Sequence, residues 1–145
     1  MAGEKSNVSA DTIPSFRPGT TILLIQSSSL ALVGLRYMLE LMNACVVAVE
    51  GSGQALDELY DNDLKPDATV VGNVLACGVT GIAAILAVRG ATRNNLPAVL
   101  LTGDCDPGLL AAEAAAHGII FLRKPIVPAN LIRILVDLIS KSAQS

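Results

Sequence analysis

Residues Thr21–Gly34 read TILLIQSSSLALVG. Ile22 to Ile25 are four consecutive apolar residues, the pattern of a strand covered on both faces. Gln26, Ser27, Ser28 and Ser29 break that run, and from Leu30 to Met42, LALVGLRYMLELM, apolar residues recur at helical spacing. A strand, a polar break and a helix form one βα unit. In such units the residues just past the strand's carboxyl end are where sites are built. Here that edge carries an amide and three hydroxyls, and no charge.

Working outward, the alternation continues to the end of the chain. Val46 to Val49 form a short second strand, entered after Asn43, and Ser52 is placed to cap a second helix, SGQALDELYDNDL. Pro66 and Asp67 punctuate before ATVVGNVL, the third strand, and Thr80 is placed to cap the third helix, GIAAILAVRGA. Asn94, Asn95 and Pro97 precede the fourth strand, AVLLT. Asp106 and Pro107 open an Ala-rich fourth helix that Gly118 closes. IIFL is the fifth strand. The fifth helix, PANLIRILVDLIS, has Leu131, Ile132, Leu135, Leu138 and Ile139 on one side.

Five βα units with short links and nearly continuous apolar strands predict an α/β fold with a parallel sheet covered on both faces. Right-handed crossovers leave few topologies, and five strands suit the flavodoxin-like, doubly wound (βα)5 order 2-1-3-4-5, a three-layer sandwich. Residues 1–19, with Pro14 and Pro18 and no periodicity, are expected to be a flexible N-terminal segment. Residues 20–145 are expected to be a single domain.

Composition narrows the function. The 145 residues are 52% hydrophobic and 16% charged, with a mean hydropathy of +0.56. No apolar run reaches the roughly 18 residues that cross a bilayer, and the N-terminal stretch lacks an apolar signal core. The expectation is a cytoplasmic protein without membrane contact. A net charge of −3 and 3% aromatic residues argue against nucleic acid, which needs clustered cations or stacking platforms. The apolar surplus points to a contact with another chain. Cys45, Cys77 and Cys105 show no CxxC spacing, and with the lone His117 they form no zinc framework, so no metal or cofactor is expected. Cys77 and Cys105 both fall in loops at the crevice edge, where an oxidation-sensitive pair is the alternative to ordinary reduced thiols.

In the predicted order, the ends of strands one, three, four and five converge on one crevice. Its lining is expected from Gln26 and Ser27, Gly72 and Asn73, Thr102, and Lys124. The motifs LLTG around Thr102 and LRKP around Lys124 resemble the receiver domain of two-component response regulators, over essentially all of residues 21–140. The stretch PAVLLTGDCDPGLLAAEAAAHGIIFLRKPIVPANL is especially similar to receivers of hybrid sensor histidine kinases. Pro66–Asp67 and GVTG at Gly78–Gly81 fit the same pattern around the third strand.

The resemblance implies phosphoryl transfer from a phosphohistidine to an aspartate at the end of strand three. That chemistry needs an ionised carboxylate as nucleophile and Mg²⁺ held by oxygen ligands, an acidic pair after strand one and the acceptor itself. It also needs a hydroxyl and an ammonium to meet the phosphoryl oxygens. By resemblance the hydroxyl is Thr102 and the cation Lys124. The acidic pair becomes Gln26 and Ser27. The acceptor position is Gly72 counting from Pro66, or Asn73 counting back from Gly81. None of these four is a carboxylate.

The chain therefore reads as a pseudo-receiver. It is expected to act by protein contact, without Mg²⁺ binding or ordinary aspartate phosphorylation, and not as an enzyme. Its implied partners are a histidine kinase, a phosphotransfer protein or another response regulator. A homodimer through the face of helix four, strand five and helix five is expected. The alternative is residual phosphoryl acceptance at Asp104, Asp106, Ser27 or Ser28, or anion binding beside Lys124 and Thr102. Phe121 matches the receiver aromatic that changes rotamer, or is a half-buried core residue. The resemblance also implies a cis Lys124–Pro125 bond.

Overall fold

The computed structural model describes residues 15–72, 81–93, 95–102, 107–123 and 125–144. The calls on Asn73, Cys77, Thr80, Asp104, Cys105, Asp106, Lys124 and the Lys124–Pro125 bond lie outside those residues. The elements are β1 (Thr21–Ile25), α1 (Ser29–Leu41), β2 (Cys45–Val49), α2 (Ser52–Asp61) and β3 (Ala68–Gly72). They are followed by α3 (Gly81–Ala91), β4 (Ala98–Thr102), α4 (Pro107–Ala116), β5 (Ile120–Arg123) and α5 (Pro128–Gln144). All strand pairs are parallel, in the order β2-β1-β3-β4-β5, as the sequence pattern predicts.

Side-chain alternation along the strands separates two apolar layers. Leu23 and Ile25 of β1, Val71 of β3 and Leu100 of β4 pack with Ala55, Leu59, Ile82, Ile85 and Val88 from α2 and α3, and with Ala114 of α4. Ile22 and Leu24 of β1, Val70 of β3, and Val99 and Leu101 of β4 face the other way. They meet Leu39 of α1 and Leu131, Ile132 and Leu135 of α5. Every residue of β3 and β4 is buried, which is why those segments read as unbroken apolar runs. The edge strand β5 is only half covered, and it starts and ends one residue later than IIFL.

Local chemistry sets the element ends. The Ser28 hydroxyl accepts from the Ala31 N–H at the start of α1 (3.4 Å). At α2 the cap is Gly51, with no side-chain bond, and Ser52 is the first helical residue, so the helix starts one residue earlier than a Ser52 cap predicts. Instead the Gln54 carboxamide oxygen accepts from the Glu50 N–H at 2.8 Å. Gly118, with φ +65°, follows α4, as its position after that helix predicts.

The core includes a residue before position 20. Phe16 is buried in the α1/α5 layer. Its N–H donates to the Met42 carbonyl at 2.9 Å, and its own carbonyl accepts from the Asn43 amide at 3.2 Å. Burial of this aromatic ring, with the two backbone hydrogen bonds, offsets part of the cost of ordering the lead. Asp67 closes the same end of the sheet, its carboxylate accepting from the Thr21 N–H at 2.8 Å. Among the described residues no helix is long and apolar enough to cross a membrane.

Large apolar side chains are exposed mainly on α1. Leu30, Val33, Tyr37 and Leu41 follow one another at helical spacing along its outer side, Leu30 being 85% exposed. Of the described residues within α4, β5 and α5, Ile120 is the exposed large apolar one, and Val127 is exposed in the link just before α5.

Candidate functional site

The carboxyl ends of β1, β3, β4 and β5 form the crevice. Strand pairing fixes its geometry: Ile25 lies opposite Val71, and Gly72 opposite Leu101. The residue after β1, the last residue of β3 and the last residue of β4 are therefore brought to one edge.

Gln26 stands just past β1. Its N–H donates to the Val49 carbonyl at 3.0 Å, which prolongs the β1–β2 ladder by one residue and fixes the backbone. The side chain is only 4% exposed. Its Oε1 accepts from the Ser28 N–H at 3.3 Å, which sets the orientation of the carboxamide. Among the described residues its buried Nε2 has no hydrogen-bond partner. A buried amide donor left unsatisfied costs about 1–3 kcal/mol.

The reason this side chain fits is Gly72. A Cβ placed on Gly72 would lie 2.8 Å from Gln26 Nε2 and 3.0 Å from both Cδ and Oε1. The carboxamide therefore rests on the bare Cα at the tip of β3, in the space where a side chain of residue 72 would begin. Gln26 and Gly72 are complementary: one fills what the other leaves open.

Thr102 ends β4 and is 1% exposed. Ser27 is half-buried, and Ser28 is exposed at the α1 cap. Phe121 is half-buried and packs on the layer that contains α3, as expected of a core residue. Cys45 is an exposed free thiol at the start of β2. Of the predicted lining, the structure thus joins Gln26 to Gly72 directly and sets Thr102 on the neighbouring strand.

The chemistry of this edge is dipolar. The receiver resemblance calls for Mg²⁺, a hard cation that prefers carboxylate and water oxygens near octahedral geometry. Gln26, Ser27, Gly72 and Thr102 supply a carboxamide, hydroxyls and backbone, with no carboxylate. The carboxamide packs against Gly72 through both its nitrogen and its oxygen, and it brings a neutral dipole where the ion calls for a negative oxygen. These residues do not fit the ion.

Two buried polar residues escape a reading based on sequence. The Thr69 hydroxyl donates to the Leu23 carbonyl at 2.9 Å inside the sheet. Arg89 is buried in α3, at the far end of the molecule. The signal for Arg89 was its place as the one charge in GIAAILAVRGA.

No family model matches the chain. It is 30% identical over 113 residues, 76% of its length, to the sensory/regulatory protein RpfC of Xanthomonas campestris pv. campestris, and spans 15% of that protein. A response regulator receiver domain protein from Clostridium thermocellum superposes with a TM-score of 0.77 at 20% identity, over 86% of this chain and 98% of the other. A response regulator receiver protein from Sinorhizobium medicae WSM419 gives 0.71 at 25% identity, over 83% and 94%. The signal receiver domain of an HD domain-containing protein from Pseudomonas fluorescens Pf-5 gives 0.76 at 22% identity, over 89% and 100%.

Proposed function

We propose that this chain, which has the receiver fold of response regulators, serves two-component signalling as a contact module that takes up neither Mg²⁺ nor an aspartyl phosphate. The observation that carries this reading is the Gln26 carboxamide resting on Gly72. It occupies the tip of β3, where an acceptor's side chain would have to start. An acyl phosphate needs a carboxylate nucleophile, and neither a carboxamide nor a bare Cα is one. With both acidic-pair positions neutral, this edge lacks the carboxylates that would hold Mg²⁺ against an incoming phosphoryl group.

What remains is the shape of a receiver. A kinase or phosphotransfer partner that docks receivers by surface complementarity can engage it without losing phosphate to it. The module then works as a decoy or an adaptor, not as an enzyme. Its partner is a histidine kinase, a phosphotransfer protein or another response regulator, and it associates with a second copy through α4, β5 and α5. Ile120 supports that face by exposing apolar area on β5.

The test is incubation with acetyl phosphate and Mg²⁺, followed by intact mass measurement. The expected mass is that of the unmodified chain. Gain of one phosphoryl group contradicts the proposal, and peptide mapping then shows which residue carries it.

A further inference from the structure

Arg89 is 8% exposed and lies in α3 beside Ile85 and Val88. Its Nε donates to the Leu96 carbonyl at 3.0 Å, and its Nη1 to the His117 carbonyl at 2.6 Å. These bonds tie the end of α3 to the start of β4 and to the end of α4. A guanidinium has five N–H donors, and two of them account for this stapling. The ion pairs among the described residues are Arg36–Glu40, Lys65–Asp63 and Lys141–Asp137, and none includes Arg89. A buried cation without an anion is costly. Consistent with that cost, burial pulls the pKa of Arg89 below its ordinary value.

Arg89 also lines a hollow of about 260 Å³ at the end of the sheet opposite the crevice. Pro97 and Ala98 at the start of β4, Gly118 after α4, and Leu138 and Lys141 of α5 form its walls. Among the described residues two cations line it and no acid does. The Lys141 ammonium is paired with Asp137 at 3.2 Å, but both side chains are largely exposed. Such a pair contributes little and reorganises readily.

We infer that this hollow is an oxyanion site, taking one carboxylate or phosphate group with Arg89 at its base and Lys141 at its rim. The planar fork of a guanidinium matches the oxygens of either group. An anion there supplies the countercharge that Arg89 lacks, and the flexible ammonium closes over it. This reading stands apart from the crevice and does not depend on it.

The test is an NMR titration of the full chain with sodium phosphate and, separately, sodium acetate, each against sodium chloride at equal ionic strength. Saturable shifts of the Ala98 and Gly118 amides are expected with at least one of the two salts. Phosphate alone, acetate alone or both then identifies the source of the group. Lys141→Gln is expected to weaken that binding threefold or more. Arg89→Lys keeps the charge but loses the fork, and is expected to weaken it at least tenfold. If Arg89→Lys fails to fold, Lys141→Gln decides alone. Absence of saturable shifts with both salts overturns the inference. So do shifts confined to Gly72 and Thr102, or unchanged affinity in Lys141→Gln.

Discussion

At the scale of single residues, the decisive pair is Gln26 and Gly72. Gly72→Ala sets a methyl group against the carboxamide and is expected to lower stability by about 1 kcal/mol, as overpacking does. In a Gln26→Ala background the same change is expected to cost nothing or to stabilise, since alanine orders a strand more readily than glycine. Urea unfolding of the four proteins reads the coupling directly, and equal costs in both backgrounds would refute the steric pairing. The pairing also governs reversion. Gly72→Asp alone is expected to leave the chain unphosphorylated by acetyl phosphate, because its carboxylate must displace Gln26. Gln26→Asp, Ser27→Asp and Gly72→Asp together are expected to restore acceptance, read by intact mass. That Gln26, Ser27 and Gly72 are not acids was legible in the sequence, because it is a matter of residue type. The contact was not: Gln26 and Gly72 lie on different βα units, and only strand pairing brings them together.

At the scale of elements, each helix is fixed by its apolar side and its ends. Leu135 of α5 is fully buried, so Leu135→Ala is expected to cost about 2–5 kcal/mol, measured by thermal or urea unfolding. A loss below 1 kcal/mol would mean that α5 is not docked as described. The side of α5 predicted from Leu131, Ile132 and Leu135 is the buried one, since a period of 3.6 residues is visible in any sequence. Cap positions were less legible. Ser52 carries the right side chain for a cap, yet Gly51 takes the position, because the exit from β2 sets where the helix can begin. Association is also decided at this scale. Charge at Ile120 on β5, as Ile120→Lys, is expected to shift a dimer to monomer in light scattering with little change in stability. An unchanged mass, with monomer produced instead by Val33→Glu, would move the interface to the apolar stripe of α1.

At the scale of the whole molecule, the order β2-β1-β3-β4-β5 follows from chain-wide alternation and the handedness of crossovers. Both are readable without a structure. Two features were not. Phe16 sits in a polar stretch without periodicity, so nothing local announces that it joins the core. Arg89 is a single charge in an apolar helix, and its two carbonyl partners come from separate loops. Function likewise combines a global feature with a local one: a receiver-shaped sandwich in which Gln26, Ser27, Gly72 and Thr102, at or just past the tips of β1, β3 and β4, carry no charge. Manganese, a paramagnetic substitute for Mg²⁺, probes that edge most directly. Titrated into the isotopically labelled protein, it is expected to leave the amide signals of Ile25, Gly72 and Thr102 at full intensity while exposed carboxylates elsewhere broaden weakly. Selective loss of those three signals at low manganese would place a cation between the tips of β1 and β3, and would contradict the account.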